Sequence, residues 1–206
     1  MNGIACKLVD YMIKNEVILS QRKEEYIYSF EVLSGKILNY STLFVLGYIN
    51  QNIIHTLIFM ITFLSLRGRT GGYHAAKESI CYVSTILIYY FVSEISENFL
   101  PGNTEILLGT VIISSIAIFL FSPVNHPNLQ LSKQEIQMCK SSSRWLVILI
   151  SIVVFIALWL DITPDYVPYM VAGMGMDSGL LILSKILKQE VPKDEGNKRK
   201  NFEEYC

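Results

Sequence analysis

Thirty consecutive residues, Ile37 to Leu66, contain no Asp, Glu, Lys or Arg. Further apolar stretches lie at about 79–93, 106–121, 145–160 and 166–184. Only helices and closed barrels satisfy their backbone in a bilayer, and apolar runs of this length point to helices. The pattern therefore predicts an all-α, polytopic membrane protein. Charged residues are 17% of the chain and hydrophobic residues 51%, which is lean in charge for a soluble domain. Lys and Arg number 17 against 18 Asp and Glu, so no basic excess supports a nucleic-acid partner.

Charge in the gaps orients the chain. Arg67, Arg69 and Lys77 flank one gap, Lys133, Lys140 and Arg144 another, and Lys185, Lys188, Lys198, Arg199 and Lys200 fill the tail. Excess Lys and Arg marks cytoplasmic ends. The segments around Glu94, Glu97 and Glu105, and around Asp161 and Asp165, lack Lys and Arg and carry Pro101-Gly102 and Pro164, which places them outside. Lys36 and Arg67 fall on the same side, so the chain between them crosses an even number of times. Two helices of about 22 Å each fit, or a re-entrant hairpin, with Asn50-Gln51-Asn52 as the turn; one long tilted helix is the competing reading.

The sequence thus predicts about six membrane helices in three regions: cytoplasmic or interfacial amphipathic helices over 1–36, a membrane domain over 37–187, and a polar cytoplasmic tail over 188–206. Met1 to Glu25 carries charges throughout and has no secretory signal core. Both termini are expected in the cytoplasm of a multi-pass cell-membrane protein. Within 1–36, Ile4, Leu8, Tyr11 and Met12, and then Tyr26, Ile27, Phe30 and Leu33, recur at helical spacing. Such helices lie on a membrane surface or pack on the rest of the protein, and spacing alone does not separate the two.

The most informative stretch runs from Arg67 to Cys81. Two arginines precede Gly71-Gly72, and His74 and Cys81 stand seven residues apart at a membrane boundary. An imidazole takes a thiol proton and nearby positive charge favours the thiolate, so these residue types suit nucleophilic catalysis. On one continuous helix the pair would sit about 10.5 Å apart along the axis. A dyad therefore needs the helix to begin after His74, at about Lys77 to Ser79, with the Gly-Gly loop folding the imidazole back. The plainer reading is a small buried thiol in a membrane helix.

His126 with Cys139 is a second His–Cys pair, and His55 reads as a packing residue in mid-membrane. Cys6, Cys81, Cys139 and Cys206 are too scattered for a disulfide framework and form no CxxC pair. No phosphate loop, dinucleotide fingerprint or metal spacing is present, so no cofactor or metal is inferred. Asp177 is an acid inside the last apolar run and must face the bundle or a wet cavity. A hydrogen bond to a neighbouring helix is the favoured role, and polarising a substrate site the alternative. Gly173, Gly175 and Gly179 suit close helix packing.

Arg67, then Gly72-x-His74, then Cys81, following an apolar hairpin, resembles the AgrB family, the accessory gene regulator peptidases. Tyr28-Ser29-Phe30-Glu31 is similar to the family's Tyr-Gly-x-Glu, with Ser29 where Gly is usual. Ser122-Pro123-Val124-Asn125 is similar to its Pro-containing loop. The resemblance implies a membrane-embedded cysteine endopeptidase that cuts the C-terminal segment from an AgrD-like precursor peptide. An acyl-enzyme thioester then yields a thiolactone or lactone for quorum sensing.

On that logic Cys81 is the nucleophile and His74 the base. Arg67, Gly71, Gly72, Glu31 and Asp177 are candidates for substrate binding or oxyanion stabilisation. Arg67 equally suits anchoring a helix end at lipid headgroups, and the Gly pair a simple turn. Membrane lipid and the precursor are the expected partners, and the short helices and glycine-bearing last segment are compatible with a homodimer. A small transporter or exporter, or a non-catalytic sensor, is the alternative in which Cys81 has no chemical role.

Overall fold

The computed structural model describes residues 2–15, 17–20, 23–72, 78–124, 133–160 and 165–187. Regular structure among them is helical throughout: α1 (Asn2–Lys14), α2 (Lys23–Ile49), α3 (Ile53–Thr70), α4 (Glu78–Glu94), α5 (Thr104–Phe121), α6 (Lys133–Trp159) and α7 (Val167–Ile186). A π-helical turn, Ile95–Phe99, continues α4. The described chain divides into a smaller unit within Met1–Leu43 and a larger one within Phe44–Asn197.

In the smaller unit α1 buries Ala5 and Val9, while Leu8 and Tyr11 are exposed. The apolar spacing through Leu8 and Tyr11 therefore does not mark the packed face. That face is one helical step away, at i and i+4 through the smaller side chains. Asp10 pairs with Lys23 at 2.8 Å on the surface, a contact of about 0–1 kcal/mol. α2 runs unbroken through Lys36, so the polar 23–36 stretch and the apolar stretch after it form one helix. No proline interrupts it, and the Ser34 hydroxyl bonds back to the Glu31 carbonyl at 2.9 Å rather than competing for the chain.

The chain does turn at Asn50-Gln51-Asn52. α2 ends at Ile49, Gln51 takes φ 59°, and α3 starts at Ile53. This excludes a single tilted helix over 37–66. The hairpin closes tightly, because a Cβ on Gly47 would lie 2.6 Å from the Thr56 hydroxyl oxygen.

Cross-helix bonds in the larger unit fix an up-and-down order. Near the start of α3, Asn50 and Thr56 reach the Tyr89 hydroxyl near the end of α4, at 3.3 and 3.4 Å. Ser115 and Ser122 of the α5 end meet Ser151 and Ser143 of α6, at 3.2 and 2.9 Å, so those helices are antiparallel. Ser178 donates to Ser114 at 3.1 Å, and Gly175 lies against Thr110, so α7 runs parallel to α5. Gly173 sits against Thr62 and the Phe59 carbonyl, which sets α7 beside α3 in the same sense. Close packing at small residues and hydroxyl bonds hold membrane helices together where lipid supplies no hydrophobic drive. Gly173 and Gly175 serve this packing; Gly179 does not, since a Cβ there would meet nothing within 4 Å.

The core is aliphatic, with Leu66, Ile118, Val147, Val154, Val171, Met174 and Leu181 fully buried or nearly so. The outward faces are aliphatic too: Ile112, Ile113 and Ile116 of α5 and Leu149, Ile152, Phe155 and Ile156 of α6 are exposed. Helices apolar on all sides belong in lipid. Among the described residues, five spans are long and apolar enough to cross a membrane: Ser29–Ile49, Ser79–Phe99, Thr104–Phe121, Gln134–Trp159 and Val167–Ile186. α3 is not among them, because its 18 residues include His55, Arg67 and Arg69. It nevertheless runs beside α7 from His55 to Thr70, which is the position a sixth crossing requires.

Candidate active site

α3 terminates where the sequence places two glycines. Gly71 takes φ 67° and ψ −141°, and its N–H donates to the Arg67 carbonyl at 3.3 Å. Gly72 follows with φ 117°. Side chains rarely adopt such conformations, and here space forbids them as well. A Cβ on Gly71 would lie 2.6 Å from the Val124 carbonyl oxygen, and one on Gly72 would meet the Arg67 guanidinium and the Leu180 carbonyl.

The surrounding bonds lock this end of the bundle. The Arg67 guanidinium donates to the Gly71 carbonyl. The Val124 N–H, in the loop after α5, donates to the Thr70 carbonyl at 2.9 Å. The Thr70 hydroxyl lies in donor position to the Leu66 carbonyl at 3.1 Å and to Asp177 Oδ1 at 3.0 Å. Asp177 is wholly buried, and its Oδ2 has no hydrogen-bond partner among the described residues. Arg67 is near enough to Asp177 to interact with its charge.

Arg67, Gly71, Gly72 and Asp177 thus converge on one cluster. Thr70 and Val124, which sequence reasoning did not single out, tie it together. A buried acid within a membrane helix demands a donor, and that demand was the available signal for Thr70. The Gly71 N–H is spent on capping α3, so it is not a free oxyanion donor.

α4 is described from Glu78; Cys81 lies on it and is exposed. His74 and its neighbours 73–77 lie outside the described residues, as do His126 and Asp161. Cys139 is half-buried on α6. Glu31 lies on α2 in the smaller unit, with Oε1 buried and without a hydrogen-bond partner among the described residues.

His55 is placed differently from its mid-membrane expectation. Because the 50–52 turn restarts the helix, His55 falls in the first turn of α3, with its ring 4.9 Å from those of Tyr166 and Tyr169. The same end holds Glu97, which accepts from Asn52 and, at 2.8 Å, from the Tyr169 hydroxyl. Basic residues gather at the opposite end, where Arg69 Nε donates to Ser142 at 2.7 Å.

The fold defines a multi-pass helical membrane protein with an exposed thiol on one helix and a buried acid hydrogen-bonded to the end of another. The family model for accessory gene regulator B matches residues 5–183, and the chain belongs to that family.

The chain is 27% identical over 129 residues to accessory gene regulator protein B of Staphylococcus aureus (strain bovine RF122 / ET3-1), covering 63% of this chain and 66% of that one. It is 26% identical over 151 residues to an AgrB-like protein of Clostridium perfringens, covering 69% and 71%. To an AgrB-like protein of Listeria monocytogenes (strain HCC23) it is 24% identical over 108 residues, and the match spans about half the length of that relative, 52%. No solved structure matches.

Proposed function

We propose that this protein is a membrane-embedded cysteine endopeptidase acting on an AgrD-like precursor peptide, with Cys81 as nucleophile and His74 as base. The observation that carries the reading is the break at Gly71-Gly72. The helix that carries Arg67 stops there, and a second helix, described from Glu78, presents Cys81 exposed. Between the two lies the segment holding His74, at the position of the family's motif.

In this reading the His74 imidazole takes the Cys81 proton, and the thiolate attacks the carbonyl carbon at the cleavage point. The peptide C–N bond breaks as the tail amine leaves with a proton from the imidazolium. A Cys or Ser of the precursor then attacks the thioester, closing a thiolactone or lactone and freeing Cys81. Arg67 holds the Gly71 turn through its guanidinium, which supports a positioning role. Purified protein in lipid should cleave its precursor and carry a hydroxylamine-sensitive adduct on Cys81. Full cleavage by Cys81→Ala would refute the reading.

A further inference from the structure

At the basic end of the bundle, α5 and α6 enclose an open cleft of about 270 Å3 that the peptidase reading does not use. The Arg144 side chain is fixed beside it: Nη2 donates to the Phe119 carbonyl at 3.1 Å, and the guanidinium carbon sits 5.3 Å from the centre of the Phe119 ring. Its Nε is buried and has no acceptor among the described residues. The guanidinium keeps its charge beside the cleft, and a charged donor there is strengthened by an anionic acceptor. Lys140, one helical turn earlier, lines the same cleft, Gln137 and Ser141 add neutral polar groups, and none of the described lining residues is acidic.

The cleft also has an apolar exit. Trp145 is 70% exposed at its rim. Ile148, Leu149, Ile152, Phe155 and Ile156 continue from it along one exposed stripe of α6 at helical spacing. Cationic donors first, a tryptophan next and a hydrocarbon-facing stripe beyond it along α6 match the layers of a lipid headgroup region. A free phosphate would satisfy the donors alone, whereas a phospholipid satisfies the stripe as well. A choline headgroup would bring its own cation toward Lys140 and Arg144.

We propose that the α5–α6 cleft is a binding site for an anionic phospholipid, with the phosphodiester on Arg144 and Lys140, the headgroup against Trp145 and the acyl chains along the α6 stripe. The assignment is independent of the peptidase reading.

Trp145 and Trp159 are the two tryptophans of the chain, so Trp159→Phe leaves a reporter in the cleft. The full chain carrying that change is reconstituted in phosphatidylcholine vesicles. A fixed minority of the lipid is either acyl-brominated phosphatidylglycerol or acyl-brominated phosphatidylcholine, and quenching of Trp145 is compared. Phosphatidylglycerol should associate about five-fold more strongly, the effect of roughly one basic contact. Lys140→Gln and Arg144→Gln should each reduce that preference toward one-fold.

Lys140→Gln keeps the Arg144–Phe119 bond, so it carries the test alone if Arg144→Gln does not insert. Equal quenching by the two lipids, or a preference that survives both variants, overturns the proposal. Loss of the preference on adding millimolar inorganic phosphate would reassign the cleft to free phosphate. Loss on adding a Glu-rich peptide would reassign it to an acidic peptide.

Discussion

The Thr70 hydroxyl, on the last residue of α3, lies 3.0 Å from Asp177 Oδ1, and this contact joins helices 107 residues apart in sequence at the point where the chain turns into the Gly-Gly break. A hydroxyl bonded to a buried carboxylate fixes the end of α3, and through it the Arg67 turn. The bond should be measurable. A double-mutant cycle of Thr70→Val and Asp177→Val, followed by unfolding in mixed detergent micelles, should give a coupling of about 1 kcal/mol, within the range of interhelical bonds in membranes. Coupling indistinguishable from zero would mean that the two groups do not depend on each other.

The glycines make a sharper prediction because a control lies three residues away. Gly71→Ala forces a side chain into a positive-φ conformation and against the Val124 carbonyl, at about 1–3 kcal/mol for the backbone alone. Gly68→Ala falls in the last turn of α3 with nothing within 4 Å, so it should be neutral or stabilise by up to about 1 kcal/mol. If the break positions the reacting groups, precursor cleavage should fall by about a hundred-fold in Gly71→Ala and stay near wild type in Gly68→Ala. Equal activity in both variants would remove the break from the mechanism.

Much of this architecture was legible in the residues themselves. Charge parity between Lys36 and Arg67 demanded a turn, and Asn50-Gln51-Asn52 supplied it, because apolar runs must break where the backbone can be solvated. Three features were not legible. Periodicity could not choose between the Leu8–Tyr11 and Ala5–Val9 faces of α1, since both carry apolar side chains and only packing tells them apart. The continuity of α2 through Lys36 was hidden because polarity changes along a helix without any change in backbone preference. The depth of His55 depended on where α3 began. At the candidate site, Arg67, Gly71, Gly72 and Asp177 were each visible as unusual residues in their settings. Val124 binds through a main-chain N–H that carries no sequence signature, and the only pointer to Thr70 was the donor that a buried Asp177 demands.

Sidedness follows from where the charges gather. The ends bearing Arg67, Arg69, Lys140, Arg144 and Lys185 should face the cytoplasm, and those bearing Glu94, Glu97 and Glu105 the outside. On a background with the native cysteines replaced, a single cysteine at exposed Asn98 should react with an impermeant maleimide in intact cells. One at exposed Gly68 should react only after permeabilisation. The reverse pattern would invert the topology and place Cys81 on the wrong side for a precursor made in the cytoplasm.

The chemistry makes the most demanding prediction, because it separates a catalytic thiol from three bystanders. Cys81→Ala should abolish precursor cleavage and the covalent adduct together, since attack by the thiolate must expel the tail before any ring can close. Ala at Cys6, Cys139 or Cys206 should change the rate by less than about two-fold, because none stands in the His74 and Arg67 motif. His74→Ala should retain a slow reaction whose rate rises with pH. Without a base to take its proton, the thiol relies on hydroxide, and the thiolate fraction grows as the solution becomes more alkaline. In the wild type that dependence should be shallower near neutrality, since the imidazole supplies the same service there. Rates for the two proteins, measured from about pH 6 to 9.5 in the same vesicles, would therefore converge at the alkaline end. A His74→Ala curve parallel to wild type across the whole range would show that His74 does not act on the Cys81 proton.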